Sequence, residues 1–368
     1  MHKKVIIVFW GHPLYDGRCM NMLNQLNEQT YQISILGVGS KKETFNYQGI
    51  QIELLDNKKL DNSITKYFKF FYYVKKFINR LKPDVIITSD LYSMVPVAQN
   101  TKKNQSKIIY DSRELYTQLA GLVNRPMIQK LWSWYEKKNI SKVNCVLANA
   151  EIDQTYLHTL YPDVRIELIK NLPGKSFFKS KKMDLKKLLC LNEKQKIFIY
   201  QGKFHNGRGI RFAIKCMSSL KETVLVLIGD GPMKEEYINF AKKYKMEGRI
   251  FFIDAVPYEE LANFSSSAYV GLSLIQPISK SYENALPNKL FEYAVSGIPI
   301  ICSNLEAMNE MVSHYNCGIA ISPSSENEFV NAYQMICNNY DEYILDEVKQ
   351  TDLLWNTQNK HLIDIINE

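Results

Sequence analysis

The sequence predicts an α/β protein of two doubly wound, Rossmann-like domains, and three observations carry that prediction. Short apolar, β-branched runs alternate with longer helical stretches from one end of the chain to the other. The alternation halts once, at Asn171-Leu172-Pro173-Gly174. A length of 368 residues also exceeds what a single hydrophobic core ordinarily supports.

In the first half the strand-like runs are Val5-Phe9, Ile33-Val38, Val85-Thr88, Lys107-Tyr110, Cys145-Ala148 and Ile166-Ile169. In the second they are Ile197-Tyr200, Val224-Ile228, Ile250-Ile253, Val270-Leu274, Ile298-Cys302 and Gly318-Ile321. Strands that are apolar throughout, rather than alternately, belong to parallel sheets covered on both faces. The expected division is a first domain over 1–172, a Lys/Ser-rich linker over 173–187, a second domain over 188–345 and a terminal helix over 346–368. Ligands of such sheets bind at the carboxyl ends of the strands, so the informative loops follow strands and open helices.

Composition narrows the class. The apolar fraction of 46% and charged fraction of 23% are ordinary for a globular protein. The opening run Val5-Trp10 is too short to span a bilayer or serve as a signal-peptide core, so the chain is expected in the cytoplasm. Seven scattered cysteines without a C-x-x-C pair point to reduced core thiols rather than disulfides or zinc. A formal charge of +8 calls for an anionic partner: nucleic acid, a phosphorylated small molecule or an anionic membrane face.

The stretch Ser281–Cys302 is the most specific. Pro287 suits the first turn of a helix, where its missing N–H has no partner to lose. The free amides of that turn, with Lys289 among them, make a seat for phosphate, and Glu292 one turn on can accept hydrogen bonds from a pair of sugar hydroxyls. Lys203 and Arg208 lie in the loop after Ile197-Tyr200, where glycines at 202, 207 and 209 let the backbone come close to a ligand. Gly229-Asp230-Gly231-Pro232 is another strand-to-helix turn but not a G-x-G-x-x-G fingerprint. No D-x-D occurs, so a metal held by paired aspartates is not indicated. Near the N-terminus Asp16-Gly17-Arg18 follows a strand and opens a helix; Asp16 is either the helix N-cap or part of a ligand site with Gly17 and Arg18. Asp111, Arg113 and Glu114 occupy another strand end.

Taken in order, these residues resemble the family 4 glycosyltransferases of GT-B fold. The resemblance runs through Asp16-Gly17-Arg18, Tyr110-Asp111-Ser112-Arg113-Glu114 and Asn171-Leu172-Pro173, then Tyr200-Gln201-Gly202-Lys203 with Arg208-Gly209. It continues in Gly229-Asp230-Gly231-Pro232, Val256-Pro257-Tyr258-Glu259-Glu260-Leu261, the Pro287–Tyr293 block and the tail around Trp355. It implies transfer of a sugar, with retention of configuration, from a UDP- or GDP-sugar, without cofactor or metal. Lys203 and Arg208 would hold the diphosphate and Glu292 the ribose, making these three the catalytic set. Gly202, Gly229, Val256, Tyr258, Asn284, Leu286, Asn288 and Lys289 would complete the donor site, and Asp16, Gly17, Arg18, Arg113 and Glu114 the acceptor side. Two positions depart from the family pattern: Asn284 stands where the first of two glutamates is usual, and Arg113 replaces a histidine near the donor sugar. The terminal helix would cross back onto the first domain.

The acceptor implied is a glycan, lipid-linked in bacterial surface polysaccharide synthesis such as capsule or lipopolysaccharide. The helix expected over Leu60–Lys82 bears on it. Leu60, Ile64, Tyr67, Phe71, Val74, Ile78 and Leu81 form one apolar face, while Lys66, Lys69, Phe70, Tyr73, Phe77 and Arg80 form the opposite strip. From Lys58 to Lys82 there are eight Lys/Arg and only Asp61 as an acid, a pattern that suits either the anionic inner membrane face or an ordinary charged helix surface. Two alternatives share the architecture: a nucleotide-sugar 2-epimerase, and a non-catalytic subunit of a transferase complex. Nucleic acid is not an expected partner, because the basic residues form no recognised module.

Overall fold

The computed structural model describes residues 3–29, 31–57, 65–101 and 105–368. Two compact units result: Met1–Lys170 with Gln358–Glu368, and Asn171–Thr357.

The first unit is built from β1 (Lys4–Val8), α1 (Gly17–Asn27), β2 (Gln32–Gly39), β3 (Glu43–Tyr47), β4 (Ile50–Asp56), α2 (Thr65–Leu81) and β5 (Val85–Thr88). It continues through α3 (Leu91–Asn100), β6 (Lys107–Ser112), α4 (Pro126–Ile140), β7 (Cys145–Ala148), α5 (Glu151–Leu160) and β8 (Ile166–Leu168). The eight strands lie in the order β3-β4-β2-β1-β5-β6-β7-β8, parallel except for the β3–β4 pair. That pair was not foreseen. β3 sits at the sheet edge with alternating half-buried and exposed residues, so its sequence lacks the continuous apolar run of the inner strands. The Gln48-Gly49 turn, both residues at positive φ, folds β3 onto β4.

Helices α2 to α5 contribute to one core against a sheet face, through residues such as Phe70, Val74, Met94, Ile140 and Leu157. The face of α2 differs from expectation. Phe70 and Phe77, assigned to the outer strip, are buried with Val74 and Ile78, while Phe68 and Tyr72 point outward. Aromatic residues run unbroken from Phe70 to Tyr73, so several apolar stripes are compatible with the sequence and packing selects one of them. Leu60 and Ile64 lie outside the described residues.

The second unit comprises α6 (Leu185–Leu188), β9 (Lys196–Gln201), α7 (Ile210–Cys216), β10 (Thr223–Ile228), α8 (Lys234–Lys243), β11 (Ile250–Ile253), α9 (Tyr258–Ser265) and β12 (Val270–Ser273). Then come α10 (Lys280–Glu283), α11 (Asn288–Val295), β13 (Ile300–Ser303), α12 (Glu306–Tyr315), β14 (Gly318–Ile321), α13 (Glu326–Asn338) and α14 (Glu347–Asp352). Its six strands are all parallel, in the order β11-β10-β9-β12-β13-β14. The strand order reverses between β9 and β12, and ligands of such sheets settle at that switch point.

Residues 173–187, expected as a linker, are folded into this unit. Phe177 is fully buried with its ring 5.1 Å from Tyr258, and the Met183 amide donates to Asn263 O at 3.1 Å. The Lys/Ser composition misled because the few apolar residues, Phe177 and Leu185, do the anchoring. The tail is also not one helix. α14 stays with the second unit, and α15 (Asn359–Asn367) belongs to the first. There Lys3 Nζ donates to Ile366 O at 3.0 Å, Gln25 Nε2 to Asn359 O at 2.6 Å, and Leu362, Ile365 and Ile366 are buried.

Candidate active site

In the second unit, three loops at the carboxyl ends of β9, β10 and β12 are locked to one another. The Gly202 amide donates to Ile228 O, the Phe204 amide to Asp230 O and the Gln276 amide to Gly207 O, at 2.8–2.9 Å. Two glycines make this closeness possible. A Cβ on Gly229 (φ +146°) would lie 2.0 Å from Gly202 O, and one on Gly209 (φ +73°) would lie 1.9 Å from Leu274 O. The β9 loop therefore presents Lys203 and Arg208 from a fixed backbone. Lys203 is exposed, and the Arg208 guanidinium lies 4.6 Å from the Tyr282 ring centroid.

Helix α11 starts beside this loop, with Pro287 at its N-cap and the Asn288 and Lys289 amides in its first turn. Lys289 is only 7% exposed. Its Nζ stands 3.6 Å from the centroid of the Tyr200 ring and 3.5 Å from where a Gly202 Cβ would be. Burial first, then the nearby Arg208 charge, pushes the Lys289 ammonium well below its usual pKa, against a smaller opposing effect of Glu292. A lysine this buried ordinarily makes an ion pair, and Lys289 makes none among the described residues.

Glu292, one turn further on, is also buried. Gln201 Nε2 donates to its Oε2, and Gln201 Oε1 in turn accepts from Ser265 Oγ at 2.6 Å. Tyr293 O–H donates to Ile199 O at 3.3 Å while its oxygen accepts the Gln201 amide at 3.1 Å, tying α11 to the middle of β9. These second partners, Gln201, Ser265, Tyr200 and Tyr293, were not singled out in the sequence as individual site residues. Only the position of Gln201 and Tyr200 at a strand end beside glycine could have flagged them.

Asn284 and Leu286 are buried in the turn between α10 and α11, and Asn288 Oδ1 accepts from Asn171 Nδ2. Val256 is half-buried in the loop before α9. Tyr258 packs its buried ring on Phe177, so its side chain is a packing element. The structure thus gathers Gly202, Lys203, Arg208, Gly229, Asn284, Lys289 and Glu292 on the carboxyl side of β9, β10 and β12.

The first unit has a charged chain at its own strand ends. Asp16 caps α1, accepting the Cys19 amide at 2.8 Å, and also accepts Arg113 Nη1 at 2.6 Å. Arg113 Nε donates to Asp111 Oδ2 at 2.8 Å, and Arg18 Nε to Asp111 Oδ1 at 2.8 Å. Arg18 Nη1 donates to Ile169 O at 2.6 Å. Burial alone would raise the Asp111 carboxyl, but the two guanidiniums outweigh it and hold the carboxyl below the usual range.

Arg18 is therefore not placed to line a ligand site. It is buried, and its fork serves Asp111 and the backbone. Gly17 is buried as the first residue of α1, and Asp16 both caps and pairs. Arg113 is largely engaged as well, although its Nη2 has no hydrogen-bond partner among the described residues. Glu114 is half-buried at the end of the same loop. Asp90 was overlooked: it caps α3 through the Ser93 amide at 2.6 Å and accepts the Trp10 amide at 2.7 Å. Burial pushes its carboxyl up to about 6, against those two amides and Arg113.

Residues 182–345 match the family described as Glycosyl transferases group 1. An uncharacterized glycosyltransferase of Haemophilus influenzae is 23% identical over 88% of this chain and 87% of its own length. Among solved structures, sucrose-phosphate synthase from Thermosynechococcus elongatus superposes with a TM-score of 0.80 at 16% identity, over 99% of this chain and 98% of that one. Anabaena HepE in complex with UDP-glucose gives 0.75 at 12% identity over 100% of both chains. The fold is GT-B. Within the GT-B chain, the family match falls wholly in the second unit and covers the loops after β9, β10 and β12 and helix α11. No helix among the described residues is long and apolar enough to cross a membrane.

Proposed function

We propose that the protein is a retaining glycosyltransferase that moves a sugar from a nucleoside-diphosphate sugar, UDP- or GDP-linked, to a glycan acceptor in bacterial surface polysaccharide synthesis. The acceptor is lipid-linked, and the enzyme works at the inner membrane face. One observation carries this reading: Lys289 is buried over Tyr200 at the switch point of the second sheet, with no ion pair among the described residues. A cation kept there needs an anion that comes and goes. A pyrophosphate is such an anion, and Lys203, Arg208 and the α11 amides surround the same place.

In the reaction the bond between the sugar C1 and the β-phosphate oxygen breaks while the acceptor oxygen bonds to C1 on the same face. The departing phosphate takes the acceptor proton. Lys203, Arg208 and Lys289 stabilise the charge that builds on the leaving diphosphate, without a metal ion. Glu292, fixed by Gln201, holds the ribose hydroxyls. Asn284 contacts the donor sugar with an uncharged amide, which gives weaker hydroxyl bonds than a carboxylate. Asp16, Arg113 and Glu114 serve the acceptor side.

The test is sugar transfer by wild type and by the Lys203→Ala/Arg208→Ala variant, with and without acceptor and with EDTA. Turnover should fall by roughly a hundredfold or more in the variant while its melting temperature stays put. Product NMR should show the donor's anomeric configuration. Wild-type rates in the double variant, loss of activity with EDTA, or conversion of the donor sugar without an acceptor would each defeat the reading.

A further inference from the structure

Helix α4 is apolar on its outer side as well as on its inner one, where Ile140, Trp132 and Tyr135 join the core. Its exposed stripe is Met127, Leu131 and Trp134, at spacings of four and three, with Met127 84% exposed. Its inward face also carries Glu136, which burial raises to about 7 although Tyr161 and Tyr110 bond it. A surface helix placed by burial alone would keep its outward stripe polar. Helix α2 adds to the same outer layer. The two helices meet where the Tyr67 and Trp132 rings stand 5.4 Å apart, and their neighbours Phe68 and Leu131 open outward, Phe68 at 72% exposure. Tyr72 continues the patch one turn along α2.

Charge surrounds this apolar surface. Residues 65–82 and 123–138 together hold ten Lys/Arg, and their one acid is the buried Glu136. Lys69, Lys75, Lys76 and Lys130 are exposed among the apolar residues, and Lys138 Nζ lies 4.7 Å from the Trp134 ring.

We infer that α2 and α4 form a docking surface for an anionic lipid bilayer. Aromatic rings with a polar edge and long aliphatic residues settle at the headgroup boundary, and the lysines meet lipid phosphates. A second copy of this chain is a poorer occupant, since a two-fold contact would set one basic patch against its equal. This surface extends the membrane contact proposed above to a second helix and corrects which residues of α2 take part. It does not depend on the sugar-transfer chemistry, because binding is read without donor.

The experiment is co-sedimentation of the full chain with phosphatidylcholine vesicles, with and without phosphatidylglycerol. Wild type should bind the anionic vesicles, and Trp fluorescence should shift to shorter wavelength. Replacing Lys69, Lys75, Lys76 and Lys130 by Gln should weaken binding at least roughly tenfold. Met127→Ser/Leu131→Ser/Trp134→Ser should weaken it comparably, with circular dichroism checking that each variant is folded. Lys242→Gln/Lys243→Gln, two exposed positions on the second unit, should bind as wild type. No binding to anionic vesicles, equal binding to neutral ones, or an equal loss in the Lys242/Lys243 control would overturn the inference. So would a wild-type dimer in light scattering that the triple serine variant turns into monomer.

Discussion

Lys289→Met separates a ligand-binding lysine from a structural one. Methionine keeps the length and packing of the side chain but removes the ammonium over Tyr200. That group is buried with no ion pair among the described residues, and its desolvation outweighs the attraction of Glu292, so its loss removes a penalty. We expect the variant to be at least as stable as wild type, by up to roughly 1 kcal/mol. Nucleotide binding should move the other way. A charge-assisted bond to phosphate contributes about 1.5–3 kcal/mol, so the Kd for UDP or GDP should rise roughly ten- to a hundredfold. The sign with pH is also fixed. Burial, aided by Arg208, depresses the lysine's pKa, so in free protein above that value the amine is neutral. A bound diphosphate favours the charged form, so binding takes up a proton and affinity falls as pH rises through that range. Isothermal titration in two buffers of different ionisation enthalpy measures the uptake directly. The reasoning fails if Lys289→Met binds nucleotide like wild type, or if wild type shows no proton uptake while the variant merely unfolds.

Glu292→Gln should raise the Kd for the ribonucleotide roughly thirtyfold, the equivalent of about 2 kcal/mol, and leave the 2′,3′-dideoxy analogue nearly unaffected. An equal loss for both ligands would assign Glu292 to the Gln201 network alone. Glu136 tests the pH dependence of stability. Its carboxyl is raised by burial from the ordinary 4.5 to about 7, so the folded state holds a proton that the unfolded chain releases first. Stability should therefore decline as pH rises from the unfolded value to about 7, by roughly 3 kcal/mol from this group at most. Urea denaturation of Glu136→Gln at pH 5 and pH 8 should show that decline removed; parallel curves for both proteins would contradict the assignment. Arg113→Ala should cost roughly 3 kcal/mol, because it strands Asp111 beside a single guanidinium and loosens Asp16 at the start of α1. A melting temperature within a degree or so of wild type would be incompatible with that chain of ion pairs.

Most of the second unit could be read from the sequence because its strands are largely apolar and the turns after β9 and β10 are marked by glycine. Gly202, Gly209 and Gly229 are legible for a physical reason: each holds a positive φ, and at Gly209 and Gly229 the neighbouring loop leaves no room for a side chain. The acidic and basic residues of α11 were legible from their spacing after Pro287. What spacing does not encode is a residue's partner. Arg18 was read as facing ligand, yet Asp111, far away in sequence, draws it inward. The outward face of α2 was misjudged because its aromatic residues are contiguous. The apolar exterior of α4 escaped notice because Met127, Leu131 and Trp134 look like core positions by periodicity, and only exposure tells the two apart. β3 escaped because an edge strand needs no apolar run.

The short segment beyond Thr357 has an effect on the order of assembly. Its carbonyl groups receive the side chains of Lys3, Gln25 and Lys107, and it brings Leu362, Ile365 and Ile366 to cover apolar surface of the first unit. A nascent chain makes that unit's strands first but cannot finish it until every residue of the second unit has been translated. The half begun earliest is thus sealed last, and a transcript cut short inside the second unit would leave behind an unfinished first half with a sticky seam.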